Sequence, residues 1–289
     1  MRERFALVDL DQYNLPLEKV LDQWTVTLVA KNAQSDGGVF LRVKNDREYY
    51  VDKIDVSFPR RPDAGLGILL QEVAGGREDG LGITLVNGLV EGGSADGTNL
   101  LPGDSIINVG VRRSGSGDGF GGMSETEDIV SVSTECLGYD ATVDAILGLP
   151  PAETDQEEFL VTVKRLRRKP KTTVNLQFPP GDDRQDVSIE LFSGEKLRQA
   201  MLTRGIKLND PNKKRFDTKN EGNCGAFGLC TTCVVSVLKG GELLNPMRDH
   251  ERQILEGQPR WRLACKSIVG YGMREGEVTL RVHPNQWEY

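Results

Sequence analysis

Four cysteines in the last quarter of the chain have a spacing that suits an iron–sulfur cluster. Cys224, Cys230 and Cys233 lie within ten positions of one another, and Cys265 follows a short apolar run further on. A 2Fe–2S cluster needs four thiolates that converge on two irons, with backbone N–H groups directed at its sulfurs. The local loop would supply three thiolates and the distant segment the fourth.

The residues between the first three cysteines suit a tightly curled loop. Gly225 and Gly228 allow the backbone angles and the close approach that such a curl demands. We expect Phe227 and Leu229 to shield the bound cluster. Thr231–Thr232 offers hydroxyl groups that would donate to cluster sulfurs and raise the reduction potential.

Two other roles of these cysteines compete with the cluster. Disulfides require an oxidising compartment, whereas the chain carries a fifth cysteine, Cys136, and no secretory signal. Structural zinc usually takes two separated Cys-x-x-Cys pairs, or cysteine with histidine. Here only Cys230 and Cys233 form a close pair, and His250 and His283 lie outside the motif. The 2Fe–2S cluster is favoured, with zinc as the main alternative.

The elements before the cysteine loop read as a hairpin and a helix. Residues 173–178 and 187–192 alternate as two strands around a turn at Pro179–Gly181. Residues 193–202 predict an amphipathic helix with an apolar face of Leu197, Ala200 and Met201. The loop would therefore follow a strand–strand–helix unit.

The elements after the loop complete a recognisable order. They are a strand at 234–238, a Gly240–Gly241 turn, a helical stretch near 246–256 and a closing strand at 278–282. Over about residues 172–289 this order resembles the β-grasp fold of plant-type ferredoxins. The resemblance implies that Cys224, Cys230, Cys233 and Cys265 are the cluster ligands.

Three further motifs narrow this resemblance. Cys233–Val235, Gly241–Pro246 and Trp261–Cys265 are most similar to the ferredoxin-type subunit of the chloroplast NADH-dehydrogenase-like complex and related chloroplast proteins. This resemblance implies a location in the chloroplast stroma or on the stromal face of the thylakoid. It also implies protein partners within a larger photosynthetic membrane complex.

The distribution of charge argues against a freely diffusing carrier. Residues 172–289 hold 17 Lys and Arg against 15 Asp and Glu, a net charge of +2. Because the whole chain has a net charge of −7, residues 1–171 carry −9. Mobile photosynthetic ferredoxins are strongly acidic, and this charge steers them to basic docking faces. We therefore expect the cluster to face an acidic partner or to belong to a fixed assembly.

The first half of the chain carries a different motif. Two strands, at 51–58 and from Ile83 to Val90, precede Gly92–Ala95 and the Leu-x-Pro-Gly-Asp-x-Ile run of Leu100–Ile106. This pairing resembles PDZ domains, in which the small residues begin a short helix and the Pro-Gly-Asp turn leads into a buried strand. A second helix at 139–147 and a last strand at 159–163 would follow.

A PDZ domain binds an extended C-terminal peptide at a sheet edge, with a nest of backbone N–H groups around the carboxylate. The resemblance places this nest at Leu66, Gly67 and Ile68. The second helix has no histidine at its start, so a hydrophobic ligand terminus is expected. A tight turn before a strand is the other reading of these residues. The insertion between about Arg112 and Glu127 departs from the family.

The sequence therefore predicts an α+β chain of two modules. The segments are an N-terminal extension (1–49), a PDZ-like, partly open β-barrel with two helices (50–168), a linker (169–171) and a β-grasp ferredoxin domain (172–289). Lys164–Lys171 is basic and reads as a connector. The sequence contains no run of eighteen apolar residues that would span a membrane, and no nucleic-acid motif.

The function that follows is one-electron transfer by a docked subunit rather than enzymatic catalysis. No Gly-x-Gly-x-x-Gly turn between a strand and a helix, and no catalytic triad, accompanies the cysteines. The competing hypothesis is a scaffold or assembly protein whose cluster is mainly structural.

Overall fold

The computed structural model describes residues 9–31, 37–61, 65–76, 78–115, 126–152, 157–213 and 222–287. The chain folds into two units, Asp11–Arg168 and Lys169–Tyr289, and the described residues before Asp11 group with the second. Most of the Arg112–Glu127 insertion lies outside the described residues.

The N-terminal unit combines a four-stranded antiparallel sheet with two hairpins and two helices. In the sheet the strand order is β3-β8-β6-β7, and β1–β2 and β4–β5 are separate antiparallel pairs. The elements are α1 (Leu17–Leu21), β1 (Trp24–Val29), β2 (Gly38–Val43), β3 (Tyr49–Pro59), β4 (Ile68–Ala74), β5 (Ile83–Leu89), β6 (Ser105–Gly115), β7 (Thr126–Ser133), α2 (Tyr139–Leu147) and β8 (Glu158–Arg168).

Residues 15–31 and 37–43 pack on the rest of this unit. Val20, Trp24 and Leu41 are buried in one apolar cluster with Leu85 and Leu166. In β2 the alternating apolar positions Val39, Leu41 and Val43 join this cluster, whereas in β1 only Trp24 does, because Val26 and Leu28 are exposed.

The short helix expected after Gly92–Ala95 is not formed. Residues 91–99 make successive turns instead, with i to i+3 bonds such as Asp96 N–H to the Gly93 carbonyl. Gly92 and Gly97 have φ of 73° and 75°, which is left-handed backbone that interrupts a right-handed helix.

The expected basic connector is also different, because Lys164–Arg168 belongs to β8. Its cations have acidic partners within the unit: Lys164 with Glu135, Arg165 with Asp104, Arg167 with Asp52, and Arg168 with Glu48. Arg165, Leu166 and Arg167 are all buried, so this end of the strand lacks the alternation by which a strand is recognised in a sequence.

The C-terminal unit is a five-stranded mixed sheet with two short helices. The strand order is β10-β9-β13-β11-β12, and the central pair β9–β13 is parallel. The elements are β9 (Lys171–Gln177), β10 (Val187–Phe192), α3 (Leu197–Leu202), β11 (Val234–Lys239), α4 (Asp249–Ile254), β12 (Trp261–Leu263) and β13 (Gly276–Val282).

This order, with its parallel closing strand, is the β-grasp arrangement. The predicted hairpin is confirmed, since β9 and β10 pair with Leu176 opposite Val187. Leu197, Ala200 and Met201 are buried, as their spacing predicted. The helix begins only at Leu197, because Gly194 has a φ of 91° and residues 193–195 form a turn. The second helix is likewise shorter than predicted and begins after Pro246.

Candidate metal centre

The loop that carries the first three cysteines is shaped by left-handed backbone. Gly225 and Gly228 have φ of 62° and 85°, which confirms the expected role of the glycines. Ala226 and Thr231 also adopt positive φ, at 75° and 54°. An L side chain in this region costs about 1–2 kcal/mol, so the loop stores strain around the cysteines.

The fourth cysteine is brought to the loop by the sheet. Strand β12 pairs with β11, placing Leu263 opposite Val234, and the Ala264 N–H donates to the Cys233 carbonyl at 3.0 Å. Cys265 comes directly after these contacts. The pairing of two strands therefore joins cysteines that are 32 positions apart in the chain.

The four thiols form two close pairs. A hydrogen bond from the Cys265 thiol lowers the pKa of Cys233 to about 7, and the same contact raises the pKa of Cys265. Cys224 and Cys230 make the other side-chain contact. All five cysteines of the chain are buried thiols, and the four in these pairs all belong to the C-terminal unit.

Backbone amides point at the sulfurs of the first pair. The Leu229 N–H donates to Cys224 Sγ and the Cys224 N–H donates to Cys230 Sγ, both at 3.4 Å. Burial raises the pKa of Cys224, but hydrogen bonds from the Leu229 amide, the Cys230 side chain and the Cys230 and Gly228 amides outweigh it, and the net shift is downward. The loop therefore stabilises a thiolate at this position.

A hydroxyl group completes the contacts of Cys230. Thr232 Oγ1 lies 3.1 Å from Cys230 Sγ, and the Thr232 side chain is buried. The hydroxyl also accepts a bond from Asn209, a residue that the sequence analysis missed. Asn209 lies in an irregular segment without periodicity, so no sequence signal would have found it.

Phe227 and Leu229 lie on the outside of the loop, 73% and 49% exposed. Their expected shielding of a cluster stays a prediction. The described residues contain no group of three or more Cys, His, Asp or Glu side chains placed to hold a single metal ion. Two pairs of thiols are the grouping that two irons require when each takes two protein thiolates.

The predicted peptide nest lies in the N-terminal unit, at the start of β4. The carbonyls of Leu66 and Gly67 accept bonds from the Ala95 and Val90 amides. Because C=O and N–H point in opposite directions across a trans peptide, the amides of Gly67 and Ile68 point away from the Val90–Ala95 turn. The nest at Leu66, Gly67 and Ile68 stays a prediction.

Comparison with known proteins gives one curated relative of informative similarity. The chain is 40% identical over 96 residues to the photosynthetic NDH subunit of subcomplex B 3, chloroplastic, of Arabidopsis thaliana. The match covers 33% of this chain and 44% of the relative, so it spans less than half of the relative's length. No family model matches the chain.

Two solved structures are similar to part of the chain. The ISC-like 2Fe-2S ferredoxin of Pseudomonas putida is 19% identical with a TM-score of 0.29, and the match covers 38% of this chain and 91% of that one. The ferredoxin of Trichomonas vaginalis is 18% identical with a TM-score of 0.27, and the match covers 38% of this chain and 98% of that one. The β-grasp description of the C-terminal unit rests on its own strand order and pairing. Among the described residues, no helix has the length and apolar character needed to cross a membrane.

Proposed function

We propose that this chain is an iron–sulfur subunit of a chloroplast photosynthetic complex. Cys224, Cys230, Cys233 and Cys265 would bind a 2Fe–2S cluster, and the N-terminal unit would dock the chain through a PDZ-like groove. When bound, the cluster supplies a one-electron couple. The observation that carries the proposal is geometric: backbone amides of the loop donate to Cys224 and Cys230 Sγ, and strand pairing brings Cys265 next to Cys233.

The donor set fits this group. Thiolates are its usual protein ligands, and the Cys224 and Leu229 amides already donate to sulfur. Such donors stabilise the extra negative charge of a reduced centre. The burial of all four cysteines limits the access of water, while Phe227 beside them remains exposed and offers an apolar contact for a redox partner.

The chloroplast assignment draws on the curated relative, whose name makes it a subunit of an NDH subcomplex. The nearly neutral charge of residues 172–289 is consistent with a subunit held in an assembly rather than a mobile acidic carrier. We extend the location to the stromal face of the thylakoid, where its partners would be the other subunits.

The PDZ-like part of the proposal is supported by topology. A sheet with the order β3-β8-β6-β7 beside a β4–β5 pair, followed by α2 before the last strand, is the arrangement that the motif implies. The nest at Leu66, Gly67 and Ile68 lies at the start of β4, where a peptide would add as a strand.

The proposal is tested by metal analysis of the full chain isolated without oxygen. We expect two irons and two sulfides per chain, visible charge-transfer bands and, after dithionite reduction, a rhombic electron paramagnetic resonance signal. The Cys265→Ser variant should lose the cluster. Cys136→Ser is the matched control, since this buried thiol lies in the other unit, and it should retain full iron content.

Zinc without iron in the isolated protein would overturn the cluster assignment. Equal iron content in Cys265→Ser and the unmodified chain would remove Cys265 from the ligand set. A cluster that dithionite cannot reduce would favour the scaffold role over electron transfer.

A further inference from the structure

Two hydrogen bonds link a cation to the hydroxyl group that contacts Cys230. The Arg198 Nε–H donates to Asn209 Oδ1 at 3.1 Å, and the Asn209 Nδ2–H donates to Thr232 Oγ1 at 2.8 Å. Thr232 Oγ1 in turn lies 3.1 Å from Cys230 Sγ. The four side chains form one continuous path that ends on a thiol of the proposed cluster site.

The chemistry of the groups gives this path a single direction. A guanidinium group has only donors, so it must meet the oxygen of the Asn209 amide. The amide nitrogen then faces Thr232 and donates to its oxygen. A Cys230 thiolate bound to iron carries no proton, so in the cluster-bound state the Thr232 hydroxyl is the donor in its contact with Cys230 Sγ.

The fold holds both ends of the path. Arg198 lies in the first turn of α3, and its own amide donates to the Ala264 carbonyl beside Cys265. Next to Asn209, the Asp210 N–H donates to the Thr232 carbonyl at 2.7 Å. Backbone bonds thus fix the segments that present Asn209 and Thr232 to each other.

We propose that Asn209 and Arg198 are positioning residues that force the Thr232 hydroxyl to donate to Cys230 and thereby raise the reduction potential of the bound cluster. This inference rests on the proposed function. A donor at a ligand sulfur favours the more negative, reduced state, and a cation at the far end of the path polarises every bond in the same sense. Without Asn209, the hydroxyl can turn away from the sulfur.

The test is a redox titration of the full chain, followed by electron paramagnetic resonance. Asn209→Ala should lower the equilibrium constant for reduction about tenfold, which is about 59 mV more negative for one electron. Thr232→Val should shift the potential in the same direction by at least as much. Thr232→Ser, which keeps the hydroxyl, is the matched control and should stay near the unmodified value.

A double-mutant cycle separates positioning from a general structural effect. If Asn209 acts through the hydroxyl, Asn209→Ala should produce no further shift in a Thr232→Val background. An equal shift in both backgrounds would overturn the proposal. Resonance Raman spectra give a second readout, since loss of the bond should change the iron–sulfur stretching frequencies in Asn209→Ala and not in Thr232→Ser.

If Asn209→Ala fails to assemble a cluster, the Arg198→Met variant provides a second test of the same path. Arg198 is only half-buried, so Arg198→Met should fold and give a negative shift. Because the Arg198 charge also acts directly on Cys233, this shift should shrink in the Thr232→Val background without vanishing. An unchanged potential in Arg198→Met would then overturn the proposal. Absence of iron from the unmodified chain would instead refute the proposed function itself.

Discussion

The cysteine loop and the glycine loop at the start of β4 are closed by different forces. In the cysteine loop, four residues from Gly225 to Thr231 adopt left-handed backbone, and amide and hydroxyl donors point at sulfur. The glycine loop is held by other protein groups, since the Leu66 and Gly67 carbonyls bond to the turn at Val90–Ala95. A Cβ on Gly67 would lie 3.0 Å from the Gly93 Cα.

We expect the cysteine loop, but not the glycine loop, to depend on a bound ligand for its stability. Strained backbone persists only where the surroundings overdetermine it. In the C-terminal unit a bound metal group would supply much of that constraint. In the N-terminal unit other protein groups supply the constraint. Backbone bonds hold the glycine loop, and the Arg165–Asp104 ion pair fixes the Pro102–Asp104 turn.

Removal of the cluster should give the largest effect and should affect one unit only. A group that binds the folded state at about a thousand times its dissociation constant stabilises it by about 4 kcal/mol, and this would be lost on removal. We expect amide hydrogen exchange to accelerate throughout residues 222–265 and to stay unchanged in β3–β8. Faster amide hydrogen exchange in β3, β6 and β8 would contradict the view that only the C-terminal unit depends on the cluster.

Asp104→Ala should damage the N-terminal unit while leaving the iron content intact. Arg165 donates to both oxygens of Asp104, at 2.8 and 2.7 Å, and both side chains are buried. Removal of one partner leaves an uncompensated buried charge and costs about 3–5 kcal/mol. Urea unfolding followed by circular dichroism measures this loss.

The control for Asp104 is Arg252→Ala, which breaks an exposed pair with Asp249 in the other unit. Exposed pairs of this kind contribute about 0.5 kcal/mol or less, so its midpoint should hardly move. Equal losses in both variants would show that the buried pair does not fix the turn.

Gly225→Ala should destabilise the cysteine loop by about 1–2 kcal/mol, since its φ of 62° is unfavourable for an L residue. The variant should release iron faster to a chelator than the unmodified chain. Gly181→Ala serves as the control, because Gly181 has no positive φ and its added Cβ would meet nothing within 4 Å. Similar iron release from both variants would mean that backbone strain plays no part.

The smallest expected effect is the acid sensitivity of a turn in the C-terminal unit. The Arg184 guanidinium, which bonds to Asp182, lowers the pKa of that carboxyl to about 2 from 3.8. A carboxyl with a depressed folded-state pKa contributes stability above pH 3.8 that is lost as the pH falls towards 2. The contribution should be about 1 kcal/mol, because the pair is partly exposed.

Asp182→Asn should remove this pH dependence between 2 and 4 without a change at neutral pH larger than about 1 kcal/mol. Unfolding midpoints measured in urea across that range provide the comparison. An identical acid profile in the variant and the unmodified chain would show that another carboxyl is responsible.

Local patterns in the sequence predicted most of the strands and one helix closely. Alternation located β9 and β10, and α2 falls at 139–147 as expected. The errors came where glycine or charge changed the local balance. The predicted helix near Gly92–Ala95 is a series of turns, because Gly92 and Gly97 have left-handed backbone. The basic run Lys164–Arg168, which was predicted to be a connector, is the end of β8.

The sequence by itself predicted the chemistry, because thiols at positions 224, 230, 233 and 265 suit few groups other than an iron–sulfur cluster. It also predicted most of the strands, since alternation requires only near neighbours. Only the tertiary structure decided which thiols pair and which groups donate to them. Those contacts join Cys233 with Cys265 and Asn209 with Thr232, residues that are brought together by sheet pairing and backbone bonds rather than by proximity in the chain.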